Sequence, residues 1–311
     1  MTSRRAMMPQ QHRKQSQYGQ WGTHQARGEQ PTHPKDWQTP FPLPYNTANF
    51  VLKHQHDKDT QNLGLWLERF VTWRDQDDRG RDTSLSRTRK ADRRESPMLK
   101  PTRDGLVEWQ GEADLRAGLR KRWGYMLSTY AHLEHFSTFP EWRFVVGLGG
   151  ANVLETSMTL HRLYGLPIIP GSALKGLARA YAEMVLGKAP DDPEVVAVFG
   201  KPPGSTPLET GEIIFFDAIP ITSPKFKLDV MTPHFQKYYQ GSSDPPADWQ
   251  DPNPIHFLTV EKTQFLFAVA ARREAGKDYV GQAKTWLEKG LAELGIGAKT
   301  AAGYGYFEEV R

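Results

Sequence analysis

The stretch that decides the fold is GIGAKTAAGYGYF, residues 295–307, near the end of a chain of 311 residues. Five residues separate Gly297 from Gly303, and Gly305 follows after one more. Glycines at this density permit positive φ and allow a ligand to approach the bare backbone. An amphipathic helical pattern over 278–294 precedes the run, and a short strand pattern over 303–310 follows it. The run is therefore predicted to connect the last helix to the last strand.

Working outward from this run, hydrophobic periodicity predicts the other elements of the same domain. Helical spacing of apolar residues indicates a helix from Ser172 to Gly187. Alternating and β-branched patterns predict the strands 142–148, 212–221 and 263–270, and the Pro-rich and aromatic segment 222–254 is predicted to be a long loop. The order β-α-β-insertion-β-α-β is that of the ferredoxin-like split βαβ unit. The predicted fold class is α+β, a ferredoxin-like (RRM-like) domain with an insertion.

The N-terminal part of the chain has a different character. Residues 1–45 are rich in Gln, Arg, Pro and His without apolar periodicity, which predicts a disordered basic arm. Residues 46–140 are predicted to be a helical extension, with a helix starting near Asn62 and a second over 112–135, separated by a charged linker over 74–110. The ferredoxin-like domain is then expected over 141–311.

Composition and charge exclude several classes of protein. The absence of cysteine excludes disulfides and thiolate sites. There is no run of eighteen apolar residues and no charged-then-apolar leader, so a cytoplasmic protein without membrane contact is expected. The formal net charge of +4 arises within residues 1–50, so any nucleic-acid contact must depend on local charge. The basic stretch 86–103 is one local candidate, either as a solvated loop or as a contact with RNA or a partner.

The glycine-rich run has the composition of a phosphate-binding loop. Exposed N–H groups around Lys299 and Thr300 would suit phosphate oxygens. A Walker A motif is excluded, because Ala298 precedes Lys299 and a strand follows where that motif requires a helix. The alternative is a glycine-rich turn that binds no ligand.

A second candidate site lies at the start of the predicted helix 172–187. The sequence GLPIIPGSALKG, residues 165–176, places Ser172 as N-cap and Lys175 one turn into the helix, with Arg179 one turn further. A helix N-terminus stabilises an anion through its unpaired N–H groups and its dipole. The alternative is an ordinary capped helix with a solvated lysine.

Taken together, the two motifs resemble the RAMP superfamily of CRISPR-associated proteins. In that family a Pro-Gly-Ser-x-Leu-Lys-Gly helix start and a C-terminal glycine-rich loop are characteristic. Residues 62–70, 148–165, 228–239 and 251–260 are similar to segments of the sixth subunit of type III-B (Cmr) effector complexes. The resemblance covers roughly 60–73 and 142–310.

The resemblance implies a role in an RNA-guided complex. RAMP subunits pack along a guide RNA, and the sixth subunit caps the filament near the 3′ part of the guide. The implied partners are guide RNA, target RNA, the repeated backbone RAMP subunit and the other head-end RAMP subunit. The implied RNA-binding residues are Gly295, Gly297, Lys299, Thr300, Gly303, Tyr304, Gly305, Gly171, Ser172, Lys175, Arg179, His161 and Arg162.

Family members also insert a thumb from the palm, as the ferredoxin-like domain is called, into the guide–target duplex. The insertion at 222–254 stands where such a thumb is expected. Its candidate residues are Met231, His234, Phe235, Tyr238 and Tyr239. These side chains are expected to wedge or stack against bases, or alternatively to pack on the palm or on a neighbouring subunit.

Catalysis is the remaining question, and the residues argue against it. His161 is the candidate base of an endoribonuclease, and Glu155 is the carboxylate within 147–170. The His-x-His-x-x-Asp pattern at 54–59 has the wrong spacing for a metal site, so neither metal nor cofactor is predicted. Three readings follow: a non-catalytic RNA-binding subunit, which is preferred; a RAMP endoribonuclease that uses His161; and a scaffold that contacts protein alone.

Overall fold

A computed structural model describes residues 62–68, 74–75, 81–82, 100–101, 106–108, 113–150, 156–202, 204–239, 241, 245–246 and 255–310. The predicted basic arm, the 54–59 pattern, Glu155 and most of the basic stretch 86–103 lie outside these residues. Among the described residues, no helix combines the length and the apolar character needed to cross a membrane.

Helices and strands alternate along the described chain. The helices are α1 (Leu63–Glu68), α2 (Ala113–Leu127), α3 (Gly171–Ala180), α4 (Pro193–Phe199), α5 (Gln236–Tyr239) and α6 (Val280–Glu293). The strands are β1 (Arg74–Asp75), β2 (Arg81–Asp82), β3 (Lys100–Pro101), β4 (Leu106–Glu108), β5 (Leu133–Thr138), β6 (Arg143–Phe144), β7 (Ile213–Phe215), β8 (Ile219–Pro220), β9 (Lys225–Met231), β10 (Ile255–Glu261) and β11 (Phe265–Ala271). A π-helical turn, Tyr181–Val185, extends α3.

The centre of the fold is an antiparallel sheet in the order β5-β11-β7, with β8 also paired to β11. Because side chains alternate along a strand, β11 serves two cores. Phe265, Phe267 and Val269 lie in the large core with α3 and α6, and Ala268 and Ala270 lie in a second cluster with Leu127 of α2. The sheet is thus covered by helices on both faces.

A second sheet has the order β3-β4-β9-β10-β6. Its main part is the long β9–β10 hairpin, in register from Lys225↔Glu261 to Met231↔Ile255. The chain passes from β10 directly into β11 at a corner where Lys262 has φ +46°. The buried Thr263 fixes this corner, since its hydroxyl donates to the Glu261 carbonyl and accepts from the Lys225 N–H.

Several sequence predictions are confirmed at the level of elements. Helix α1 begins after Asn62, whose Oδ1 accepts the Leu65 N–H at 3.2 Å as an N-cap. Strand β11 and helix α6 lie where the periodicity placed them, and α3 with its π-helical turn ends just before Gly187.

The helix predicted over 112–135 is wrong in its second half. Helix α2 ends at Leu127, and β5 follows after a short turn. The Ser128 and Thr129 hydroxyls donate to the carbonyls of Tyr125 and Met126, which satisfies the last turn and ends the helix. Because β5 pairs with β11, the central sheet crosses the predicted domain boundary between residues 140 and 141.

Other predicted strands are shorter or divided. The strand expected over 142–148 is limited to β6, because the Val145 and Val146 carbonyls accept from Ala298 and Thr159 outside a regular ladder. The strand expected over 212–221 is split into β7 and β8. The final strand, expected over 303–310, is limited to a single bridge between Pro140 and Phe307. The loop expected over 222–254 contains β9 and α5.

Candidate nucleic-acid interface

The glycines of the loop at 295–305 serve two different purposes. A Cβ at Gly297 or Gly305 would lie well under 3.0 Å from the carbonyl oxygens of Val145 and Ile296 respectively. Both positions have positive φ, so glycine is required there by conformation and by packing against the chain itself. Gly303 also has positive φ, but no atom lies within 4 Å of where its Cβ would stand. Its backbone is therefore open to a ligand.

The backbone N–H groups of the loop divide in the same way. Ile296, Ala298 and Gly305 donate to carbonyls of the chain at 2.8–2.9 Å. For the N–H groups of residues 299–301, no acceptor is found within the described part of the chain. Lys299 is in the left-handed conformation and a 3-10 turn, Thr300–Ala302, follows it. A left-handed residue beside a right-handed turn directs successive N–H groups to one side and forms an anion-binding concavity.

A network of charged side chains links the end of the glycine-rich loop to strands β6, β9 and β10. Arg143 on β6 forms ion pairs with Asp229 on β9 and, at 3.1 Å, with Glu261 on β10. The Tyr304 hydroxyl donates to Asp229 at 2.8 Å. Burial opposes ionisation of Asp229, but hydrogen bonds from Tyr304, the Val230 N–H and Arg143 outweigh it, and the pKa of Asp229 lies below its ordinary 3.8.

Tyr304 belongs to this network and not to the open surface of the loop. Its side chain is buried in a cluster with Val145 and Phe257. Burial and the hydrogen bond to Asp229 raise the pKa of Tyr304 to about 12, so the phenol remains protonated. The Lys299 ammonium lies 5.5 Å from the centroid of the Phe257 ring, at the edge of the same cluster.

The start of helix α3 differs from the sequence prediction. Ser172 is not the N-cap: Pro170 occupies that position, and the Ser172 side chain makes no capping hydrogen bond. The Gly171 N–H donates instead to Asp217 Oδ1 at 2.7 Å, from the break between β7 and β8. A Cβ at Gly171 would collide with the Phe215 carbonyl, so this helix start packs directly on the strand. The Asp217 carboxylate therefore binds the helix-start N–H of Gly171, where the sequence predicted a bound anion.

Basic side chains surround the same helix. Burial lowers the pKa of Lys175 below 10.5, and the positive charges of Arg272 and Arg179 lower it further. Arg179 donates to Glu183 at 2.6 Å, one turn along the helix, and this carboxylate offsets its charge. Within the described part of the chain, neither Lys175 nor Arg272 forms an ion pair with a carboxylate, so their charges are not offset.

His161 and Arg162 lie in a tight turn against α1. Gly165 packs on the Leu63 backbone, and Asn62 Nδ2 donates to the Arg162 carbonyl at 2.9 Å. The His161 ring lies 4.7 Å from the Tyr164 ring, and its Nδ1 accepts the Leu163 N–H at 3.2 Å. Burial lowers the pKa of His161 below 6.5, and the nearby Asp217 carboxylate opposes this effect.

The predicted thumb residues divide between packing and exposure. Met231, at the end of β9, packs against the cluster of Val145, Phe257 and Tyr304. His234 is exposed, Phe235 is half-buried, and Tyr238 and Tyr239 are exposed, Tyr239 by 69%. Met231 thus packs within the chain, and contact of any of the five residues with bases stays a prediction.

The glycine-rich loop is tied to the residues that follow β6, since the Val145 carbonyl accepts from Ala298. The next carbonyl, that of Val146, accepts from Thr159 in the segment that leads to His161 and on to α3. No group of three His, Asp or Glu side chains suited to a metal ion occurs among the described residues.

A family model of the RAMP superfamily matches residues 143–308. The chain belongs to the RAMP superfamily. It is 36% identical to the CRISPR system Cmr subunit Cmr6 of Pyrococcus furiosus, covering 54% of this chain and 65% of that protein. It is 30% identical to the Cmr6 subunit of Saccharolobus solfataricus, covering 51% of this chain and 50% of that protein. These relatives confirm the resemblance to the sixth subunit, although the chain spans only about half to two thirds of their length.

Two solved structures of Cmr proteins are similar to this chain. A chain in the cryo-EM structure of a type III-B Cmr-beta complex bound to cognate target RNA is 26% identical, with a TM-score of 0.49 over 65% of this chain and 66% of that one. The crystal structure of Cmr6 from Pyrococcus furiosus is 32% identical, with a TM-score of 0.36 over 58% of this chain and 98% of that one.

The RAMP match includes the glycine-rich loop, the start of α3 and the β9–β10 hairpin. Two features of the site were missed by sequence reasoning. Asp217 is 46 residues from the helix that it caps, so no local pattern signals the contact. Trp142 stands one residue before the family match and lies directly beside Tyr304. Its solvent exposure could not be inferred from a strand pattern that alternates apolar residues.

Proposed function

We propose that this RAMP protein is a non-catalytic, RNA-binding subunit of a type III-B CRISPR ribonucleoprotein. In this proposal it holds the 3′ part of the guide RNA and caps the backbone filament during RNA-guided degradation of target RNA in antiviral defence. The observation that carries the proposal is the concavity of residues 299–301, where three N–H groups, Lys299 and the open backbone of Gly303 lie together. This arrangement suits a backbone phosphate, which offers several acceptor oxygens and a negative charge.

The proposed partners are guide RNA, target RNA and other Cmr subunits, in particular the repeated backbone RAMP subunit and the other head-end RAMP subunit. The similarity to the Cmr6 subunits of Pyrococcus furiosus and Saccharolobus solfataricus supports this choice. The proposed location is the cytoplasm.

Within this proposal the sheet β5-β11-β7 with α3 and α6 is the ferredoxin-like palm. The Pro140–Phe307 bridge beside β5 supports this, because it gives the spatial order of a last strand, first strand, third strand and second strand. The β9–β10 hairpin and its connection carry the thumb-like segment. Its exposed tyrosines, Tyr238 and Tyr239, are the proposed contacts with bases.

The non-catalytic role rests on the poor fit of His161 to in-line cleavage. A general base needs a free ring nitrogen near the 2′-hydroxyl and a second group to protonate the leaving oxygen. Because His161 Nδ1 accepts the Leu163 N–H, the proton of the neutral ring lies on Nε2, which therefore cannot accept the proton of a 2′-hydroxyl. We expect His161→Ala to leave target cleavage by the assembled complex unchanged. Loss of cleavage at one defined position, with assembly intact, would instead support the endoribonuclease reading.

Binding of labelled guide RNA to the full chain tests the proposed site. Lys299→Ala should weaken binding about 5–20-fold at low salt and reduce the slope of log K against log salt by about 1, as expected for one phosphate contact. Gly303→Val should weaken binding further, because the side chain fills the space where the backbone is open. Lys277→Ala is the control, since it removes a surface lysine from the turn that precedes α6, where its ammonium pairs with Glu274.

The outcomes separate the alternatives. Equal loss of binding in the Lys277 and Lys299 variants would indicate a general charge effect and would contradict a site at the loop. Unchanged RNA binding in the Lys299 and Gly303 variants, with normal assembly, would favour the scaffold that contacts protein alone.

A further inference from the structure

Trp142 presents an exposed indole beside the glycine-rich loop. It stands immediately before β6 and is 47% exposed, whereas its neighbours Phe144, Val145 and Val146 are buried. An exposed tryptophan leaves a large apolar surface in water, and Trp is enriched where proteins bind partners or ligands. The exposed indole is therefore suited to bind a ligand with a flat, apolar face.

The indole is held in place by groups that are themselves fixed. The Tyr304 ring lies 4.8 Å from it, centroid to centroid, at an interplanar angle of 43°. The Arg143 guanidinium carbon lies 4.8 Å from the indole centroid. Tyr304 is anchored by Asp229, and Arg143 by Asp229 and Glu261. A ring held in this way loses little conformational entropy when a ligand stacks on it.

Backbone hydrogen bonds place this indole next to the loop that offers its N–H groups to phosphate. The Gly305 N–H donates to the Arg143 carbonyl at 2.8 Å, and the Glu141 N–H donates to the Tyr306 carbonyl at 2.9 Å. Trp142 is thus flanked on both sides by residues bonded to the end of the loop. The rings of Trp142, Tyr304 and Phe257 follow one another in contact, and the Lys299 ammonium lies at the far end of that row.

We propose that Trp142 is a base-stacking residue, on which an unpaired RNA base lies while a neighbouring phosphate occupies the concavity of residues 299–301. This inference rests on the proposed RNA-binding function of the loop. A nucleobase fits the observations better than a protein side chain, because the adjoining surface supplies N–H donors and a lysine for an anion. Stacking is tolerant of sequence, so Trp142 would hold a position of the RNA without selecting its base.

The test measures binding of the full chain to an oligouridylate of about ten nucleotides, a length within the usual range of single-strand sites. Trp142→Ala should weaken binding about 5–100-fold, and Trp142→Phe should recover most of the loss because it restores an aromatic face. Tyr125→Ala, which removes another exposed ring from α2, is the matched control and should bind like the parent. Thermal unfolding of each variant checks that the loss is not one of folding.

A second measurement compares the parent protein and Trp142→Ala on oligomers that each lack one base. Removing one base at a time from the oligomer, while keeping the sugar and phosphate, should weaken binding at one or two positions. Trp142→Ala should be insensitive to removal of those same bases. If Trp142→Ala weakens binding of the intact and the base-free oligomers equally, stacking is wrong.

The remaining outcomes distinguish this inference from the function on which it rests. Normal binding by Trp142→Ala together with weak binding by Lys299→Ala would overturn the stacking site and leave the phosphate site standing. Normal binding by both variants would overturn the proposed function as well. Normal RNA binding by Trp142→Ala, with loss of assembly with purified Cmr subunits, would assign the indole to a protein contact and overturn stacking.

Discussion

Gly303 and Gly305 offer a matched pair for testing how the glycine-rich loop is built. Their φ values are +86° and +85°, so an alanine at either position is forced into the same unfavourable backbone region. That conformation costs about 1–2 kcal/mol for a residue with a Cβ. Because this cost is common to both, it cancels when the two alanine variants are compared.

The difference between the two positions arises from packing. A methyl group at Gly303 meets no atom within 4 Å, but at Gly305 it would overlap the Ile296 carbonyl. The backbone must then shift, which costs about 1–3 kcal/mol. The shift also disturbs the hydrogen bonds that Gly305 makes with Ile296 and Arg143, each worth about 1 kcal/mol. We therefore expect Gly305→Ala to be about 2–4 kcal/mol less stable than Gly303→Ala.

Urea unfolding followed by circular dichroism measures this difference directly. The midpoint should fall much further for Gly305→Ala, with an unchanged slope. In thermal unfolding the gap should be about 5–15 °C, since each kcal/mol shifts the midpoint by about 2–4 °C in a domain of this size. Equal midpoints for the two variants would refute the assignment of Gly305 to packing and of Gly303 to the open surface.

Three further predictions concern the network, the first helix and the start of α3. Asp229→Asn should lower the free energy of unfolding by about 2–4 kcal/mol at neutral pH, because Arg143 loses a charged partner. Since the pKa of Asp229 lies below 3.8, this difference from the parent should hold above pH 3.8 and shrink as the pH falls through the folded pKa. A pH-independent difference in urea unfolding would contradict this. In the same assay, Asn62→Ala should lower the free energy of unfolding by about 1 kcal/mol. Asn62→Asp should lower it less, because Asp keeps the acceptor for the Leu65 N–H. Equal losses in the two variants would mean that the cap contributes nothing. Lys175→Glu should weaken guide RNA binding in the assembled complex more than Lys175→Ala does, because it brings a negative charge towards phosphate; variants that behave alike would make Lys175 a solvated residue.

The elements that the sequence predicted well are those with long, regular patterns. Helix α6 is buried along one face, and β11 is buried at every residue except the half-buried Leu266, so both keep a regular apolar pattern. The start of α1 follows from a local interaction, since the Asn62 side chain caps its own helix. Strand β5 was missed because it is only six residues long and follows a helix without a strong breaker, and a short apolar pattern fits either period.

The candidate site was predicted in outline and not in detail, for a physical reason. Glycine spacing identified the loop but could not separate Gly303 from Gly305. The two differ because the fold brings the Ile296 carbonyl against Gly305 and leaves Gly303 without such a neighbour. Ser172 has the residue type of an N-cap, yet Asp217 performs part of that role from a distant strand break. The exposure of Trp142 depends in the same way on how β6 is placed at the edge of its sheet.

The corner between β10 and β11 has a mechanical consequence. The hairpin strand β10 and the central strand β11 are separated only by residues 262–264, and Thr263 bonds the corner to β9 as well. Because Thr263 bonds β9 to the corner between β10 and β11, we expect a force that tilts the hairpin to act on β11, whose side chains lie in both hydrophobic clusters.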